Sequence, residues 1–246
     1  MSGHSKWANI KNKKGKADAA RGSVFTKIGR ELAVAVKAGG PDPNNNSRLR
    51  DVITKAKQNN MPNDTITRSI KKASGELGSV NYEEMVYEGY AAGGVAVIVE
   101  ALTDNKNRTA GDVRHAFDKF SGSMGTTGCV SYLFKKKGVI VVEDDKLSED
   151  EVMELCLEAG GDDMLSDGNI HEIYTMPQDL NTVKEYIESK GIKILSAETD
   201  YIADDYINPS EDAIPMIEKL INMLEENDDV QNVYHNANLP EEEEDD

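Results

Sequence analysis

Apolar residues recur at helical spacing through the first third of the chain and at strand-like spacing afterwards. In "SVFTKIGRELAVAVKAGG", Phe25, Ile28, Leu32 and Ala35 fall on one face, and the Gly39-Gly40-Pro41 run ends the helix. "GGPDPNNNS" is turn chemistry throughout, and Ser47 reads as the N-cap of "RLRDVITKAKQ". There Leu49, Val52, Ile53 and Ala56 fill i, i+3, i+4 and i+7, an apolar stripe on a wheel of ~3.6 residues per turn. "NNMPND" breaks that helix, and Asn63 or Asp64 caps a third with Ile66, Ile70 and Ala73 inward. Gly75 suits the position just past its end.

From about Val80 the period shortens. "EMVYEGY" and "GVAVIVEAL" predict strands, "NRTAGDVRHAFDKF" a helix with Val113, Ala116, Phe117 and Phe120 on one face, and "GCVSYLF" a further strand. "GVIVVE", a helix from Ser148 to Ala159, "DDMLS", "NIHEIYTM", a helix over Leu180–Lys190 and "IKILSAETDYI" follow in the order β-α-β-β-α-β, the split ferredoxin-like arrangement. Ser148 and Glu151 match a capping box. Beyond Tyr206 come a helix starting near Asp212, since Pro215 suits only a first turn, and a strand "VQNVYH". These last pieces lack a sheet of their own, and the 83–134 set lacks a helix and a strand, so the economical solution inserts one module into the other.

The expected fold class is therefore α+β: a small N-terminal helical domain followed by two α/β, ferredoxin-like domains, one inside the other. The expected boundaries are 1–79 for a basic helical domain, 80–135 plus 203–238 for a discontinuous α/β domain, 136–202 for the inserted domain, and 239–246 for an acidic, disordered tail.

Charge changes the picture more than overall composition does. The 246 residues carry a formal charge of −17, with 38% hydrophobic and 30% charged residues, ordinary for a folded protein. Yet residues 1–75 hold 16 Lys and Arg against 5 Asp and Glu, while the remainder is strongly acidic. On the helical wheels Arg48 and Lys55 flank one edge of the second helix, Arg50 and Lys57 the other, and Arg68, Lys71 and Lys72 cluster opposite the apolar face of the third. A face selected only for solubility would mix Glu with Lys. The one-signed pattern points to a polyanion partner. The candidate nucleic-acid-binding residues are Lys6, Trp7, Lys11, Lys13, Lys14, Lys16, Arg21, Lys27, Arg30, Arg48, Arg50, Lys55, Lys57, Arg68, Lys71, Lys72, Arg108 and Arg114. Trp7 reads two ways, as a stacking platform for an exposed base or as a core residue anchoring the leader. "DNKNRTAGDVRHAF" brings Lys106, Arg108, Arg114 and His115 into the acidic part, either extending the basic surface or pairing with Asp104, Asp112 and Asp118.

No catalytic residue, metal site or cofactor is expected. The four histidines, His4, His115, His171 and His235, lack partners at ligand spacing. "GSMGTTG" lacks the Lys-Ser/Thr of a phosphate loop and follows a helix, so a positive-φ turn explains it better. Cys129 and Cys156 read as packing residues. No apolar run approaches the ~20 residues of a membrane helix, and no apolar stretch follows the N-terminal lysines, so a cytoplasmic protein without membrane partners is expected.

"GHSKWANIKNKKGKADAARGSVFTKIGREL", "NMPND…IKKASG", "VYEGYAAGGVAVIVEALTDNKNRT" and "VRHAFDKFSGSMGTTGCVSYLF" resemble the YebC/PmpR family, from the second residue to about His235. Cys129 stands where serine is expected, and Ser121 where a second glycine is. The resemblance implies three domains, one split by another, and a cytoplasmic bacterial protein described as a probable DNA-binding transcriptional regulator. It equally implies relatives that activate mitochondrial translation, and members associated with ribosomes translating proline-rich stretches. The expected partner is thus nucleic acid, DNA or ribosomal or messenger RNA, with the ribosome among the implied partners and the oligomeric state open. A protein–protein adaptor is the alternative from another class. The basic N-terminal surface is what the resemblance carries over, and the "EEEEDD" tail is expected to compete for its lysines.

Overall fold

The computed structural model describes residues 17–75 and 81–240, the side chains of 17–21 excepted. It is an α+β protein whose chain divides into two units. One comprises the described residues of 17–130 with Ser210–His235, and the other comprises Ser131–Pro209 with the described residues from Asn236 onward.

The first unit opens with three helices, α1 (Ala17–Gly39), α2 (Ser47–Gln58) and α3 (Asn63–Ala73). Ile28, Leu32, Ala35 and Val36 of α1 pack against Leu49, Val52 and Ala56 of α2, and Met61 and Ile66 complete this core. Burying each larger side chain contributes roughly 1.5–3 kcal/mol. The cap of α2 differs from expectation: Asn46, not Ser47, closes it. Its side-chain oxygen accepts from the Leu49 N–H at 3.0 Å while its amide donates to the carbonyls of Ala35 at 2.7 Å and Gly40 at 2.8 Å. One buried side chain therefore ends α1 and begins α2, which a serine hydroxyl is too short to do. At α3 the cap residue is Pro62, with no side-chain cap bond, in place of Asn63 or Asp64. Gly75 adopts φ +92°, as its position after the helix requires.

The same unit holds a four-stranded antiparallel sheet in the order β3-β1-β2-β8, built from β1 (Glu83–Tyr90), β2 (Ala96–Thr103), β3 (Ser123–Met124) and β8 (Val230–His235). Helices α4 (Lys106–Lys119) and α7 (Ile214–Glu225) pack on one another and on the sheet. They bury Val113, Ala116 and Phe117 from one, and Ile217, Leu220 and Leu224 from the other. The expected strand "GCVSYLF" is not one. The strand here is only Ser123–Met124, and residues 125–133 turn. The cause is Glu88, whose buried carboxylate accepts the N–H groups of Gly128 at 2.8 Å and Val130 at 2.9 Å. Those donors are then not available to a neighbouring strand, and Gly128 at φ +90° bends the chain away.

The second unit has β4 (Phe134–Glu143), α5 (Glu149–Ala159), β5 (Asp163–Asp167), β6 (Ile170–Thr175), α6 (Leu180–Ser189) and β7 (Lys193–Ala203). Its sheet runs β5-β6-β4-β7, antiparallel throughout, which is the order a β-α-β-β-α-β chain gives when each helix crosses one face. Ile140, Val142 and Ile173 meet Val152, Cys156, Val183 and Ile187 from the helices in its core. Ser148 and Glu151 form the expected capping box.

Candidate nucleic-acid interface

The stripe that buries Leu49, Val52 and Ala56 turns Arg50 and Lys57 of α2 outward, and both are exposed. On α3, burial of Ile66 leaves Arg68, Lys71 and Lys72 exposed at i, i+3 and i+4, one patch of helix surface. Among the described residues these five make no ion pair. Lys71 and Lys72 also lie in the last turn, where the helix dipole favours cations. Arg48 and Lys55 are engaged: Arg48 pairs with Glu84 at 2.5 Å, and Lys55 with Glu31 of α1 at 3.0 Å. The Arg48 pair is half exposed on both sides, and such surface pairs are worth only ~0–1 kcal/mol.

Two basic residues of α1, Lys27 and Arg30, make contacts inside the first unit. Lys27 Nζ donates to the Glu225 carbonyl at 2.6 Å. Arg30 donates to the Leu102 carbonyl at 2.7 Å and to the Asp229 carboxylate, and its guanidinium lies 5.2 Å from the centroid of the Tyr82 ring. Arg108 reaches the same carboxylate at 2.7 Å and Asp104 at 2.8 Å. Lys27, Arg30 and Arg108 therefore join α1 and α4 to the end of α7 and the start of β8, with the Arg108 side chain still half-exposed. Lys106 pairs with Glu83 at 2.6 Å, whereas Arg114 and His115 are exposed.

Asp229 is the centre of this network and is a residue that sequence reasoning missed. Thr109 Oγ1 donates to it at 2.6 Å, and Thr103 Oγ1 lies 3.3 Å away. Burial pushes its carboxyl pKa up, but hydrogen bonds from Thr109, Arg108 and Arg30 outweigh that and bring it down to about 2. The bonds to Asp229 and Asp104 raise the Arg108 pKa in turn. No local signal could reveal it, since "NDDV" reads as an ordinary turn before a strand.

Between α1 and α3 lies a groove of about 290 Å³. Gly29 and Ala33 form part of its wall on α1, Thr65 and Ser69 on α3, with Phe25 and Tyr82 beside them and Lys72 at the same groove. Arg30 also lines it, and the buried Arg30 Nε has no hydrogen-bond partner among the described residues.

Lys6, Trp7, Lys11, Lys13, Lys14 and Lys16 lie outside the described residues, as do the Arg21 side chain and the tail beyond Pro240. The glycine-rich "GSMGTTG" loop directs the Gly128 N–H to Glu88. Burial raises the thiol pKa of Cys129, and of Cys156 to about 11. His171 is buried, with Nδ1 2.8 Å from Ser166 Oγ, and burial lowers its pKa. Among the described residues no group of three or more His, Cys, Asp or Glu could hold a metal ion, and no helix is long and apolar enough to cross a membrane.

A helical module, then a sheet whose last strand arrives only after a second α/β unit, is the architecture that the comparisons with known proteins bear out. The TACO1/YebC N-terminal domain matches residues 5–76, and the TACO1/YebC second and third domain matches residues 82–237. The chain belongs to the TACO1/YebC family. It is similar to a protein of Clostridium botulinum, 57% identical over 98% of both chains, and to one of Acetivibrio thermocellus, 58% identical over 96% of this chain and 98% of the other. Both are named probable transcriptional regulatory protein. Among solved structures, a conserved hypothetical protein from Aquifex aeolicus superposes with a TM-score of 0.87 at 48% identity, covering 97% of this chain and 99% of that one.

Proposed function

We propose that this protein is a nucleic-acid-binding regulator of gene expression that acts by binding rather than by catalysis. The observation that carries the reading is the set of exposed cations on α2 and α3, Arg50, Lys57, Arg68, Lys71 and Lys72, without carboxylate partners among the described residues. In a chain of net charge −17, such a set attracts a phosphate backbone to one region while the acidic remainder repels it. The names of the relatives favour transcription and therefore DNA. The buried carboxylates of the first unit, Asp229 and Glu88, are committed to holding structure, which supports a binding role.

Lysine and arginine contacts to phosphate release counterions, so log K should fall by about 0.9 per duplex phosphate neutralised, or about 0.7 on a single strand. Fluorescence anisotropy against duplex DNA, single-stranded RNA and purified ribosomes, each titrated across salt, tests the reading and ranks the three targets. Binding that does not respond to salt, or no binding to any of them, overturns it. Partners that survive nuclease in a pulldown would favour the adaptor instead.

A further inference from the structure

The groove between α1 and α3 is too small for a helix or a strand of a partner. Pockets for drug-sized ligands run from about 300 to 1,000 Å³, and at about 290 Å³ this one matches a single small planar group. Its wall has three kinds of chemistry. Phe25 and Tyr82 offer aromatic rings, with Tyr82 fixed by the Arg30 guanidinium. Thr65 and Ser69, one helical turn apart on α3, offer hydroxyls that both donate and accept. The Arg30 guanidinium also lines the groove, its buried Nε without a partner among the described residues. Lys72 belongs to the same groove, and Arg68 and Lys71 stand beside it on α3.

We infer that this groove receives one unstacked base of a single-stranded nucleic acid, with Tyr82 as stacking platform, Thr65 and Ser69 at the base edge, and Lys72 with Lys71 and Arg68 on the flanking phosphates. The inference rests on the nucleic-acid reading above and specifies it. A base inside a duplex would first have to be unpaired and unstacked, so the groove favours single strands. Every base has a stacking face, so the selection is for strandedness more than for sequence.

Gly29 provides the test. A Cβ placed there meets only Ser69 Oγ, at 4.0 Å, so a side chain can start from this groove wall without a clash at Cβ. Gly29→Leu fills the space, and Tyr82→Leu removes the ring while keeping bulk. The probe is a 12-nucleotide RNA carrying one internal 2-aminopurine, alone or annealed to its complement, with the full-length protein at fixed salt. The wild type should bind the single strand about tenfold more tightly than the duplex and change the 2-aminopurine fluorescence. Gly29→Leu should weaken single-strand binding about tenfold, abolish the fluorescence change, and leave duplex binding and the salt slope unaltered. Tyr82→Leu should do the same, and it decides the matter if Gly29→Leu does not fold by thermal unfolding. A wild type that prefers the duplex, or variants that bind and report like the wild type, overturn the inference while leaving the nucleic-acid reading intact. A wild type that binds neither form overturns the inference, and one that also fails to bind duplex DNA and ribosomes overturns both.

Discussion

Arg30, midway along α1, donates to the carboxylate of Asp229, 199 residues later in the chain. The Arg30 side chain is 12% exposed and that of Asp229 3%. The pair ties the helical module to the closing strand of the first sheet, and Arg108, Thr109 and Thr103 converge on the same carboxylate.

Asp229→Ala should be strongly destabilising. It leaves the Arg30 guanidinium buried without its counter-charge, a situation that costs about 3–5 kcal/mol. Urea unfolding followed by circular dichroism should show a lower midpoint of that order. A change under 1 kcal/mol would mean that the network does not hold α1 in place.

The same carboxylate should shape acid unfolding. Its folded pKa of about 2 lies below the ordinary value of roughly 3.9 for an unfolded Asp. A depressed carboxylate contributes its stability above the unfolded value, and that contribution is lost as pH falls from about 4 towards 2. The difference corresponds to roughly 2–3 kcal/mol. The stability gap between wild type and Asp229→Asn should therefore narrow over that window and stay constant from pH 5 to 7. A gap independent of pH below 4 would contradict the assignment.

Neutralising α3 should affect binding and little else. Arg68→Gln, Lys71→Gln and Lys72→Gln combined remove exposed charges without ion pairs among the described residues, so the stability change per site should stay within about 0.5 kcal/mol. The salt slope for duplex DNA should decrease by up to about 0.9 for each cation that contacts phosphate. Equal slopes for variant and wild type would move the interface off this helix.

Glu88→Ala should loosen the segment after β3. The N–H groups of Gly128 and Val130 lose their acceptor, at about 1–3 kcal/mol for each buried donor left unpaired. Amide exchange across residues 125–130 should accelerate at least about tenfold. Unchanged protection there would show that other contacts hold the loop.

These residues also show what was legible in the sequence. Leu49, Val52 and Ala56 announce α2 because burial of a helix face leaves a periodic trace. The β5-β6-β4-β7 order follows from the sequence of elements alone, since each helix must cross one face of the sheet. Arg30 and Lys57 look alike locally, and what separates them is a carboxylate nearly two hundred residues away. "GCVSYLF" has the apolar alternation of a strand, yet Glu88 on β1 takes the hydrogen-bond donors that a strand would use. Asn46 and Ser47 are both good caps, and only the nearness of the Ala35 and Gly40 carbonyls selects the longer side chain. Pairings between distant segments were therefore hidden, and patterns within one element were not.

The interruption of the first unit by the second sets an order in time. Every strand of the β5-β6-β4-β7 sheet comes from one continuous stretch, Phe134 to Ala203, whereas the first sheet waits for Val230–His235. At about 5–20 residues per second, α1 emerges roughly 10–40 s before Asp229 exists to anchor it. On a translating ribosome the sheet begun second is thus the first to have all its strands. Pulse proteolysis of released chains ending at 209 and at 240 should find 131–209 resistant in both and α1 resistant only in the longer, so the cationic helices acquire their fixed mounting as one of the last events of synthesis.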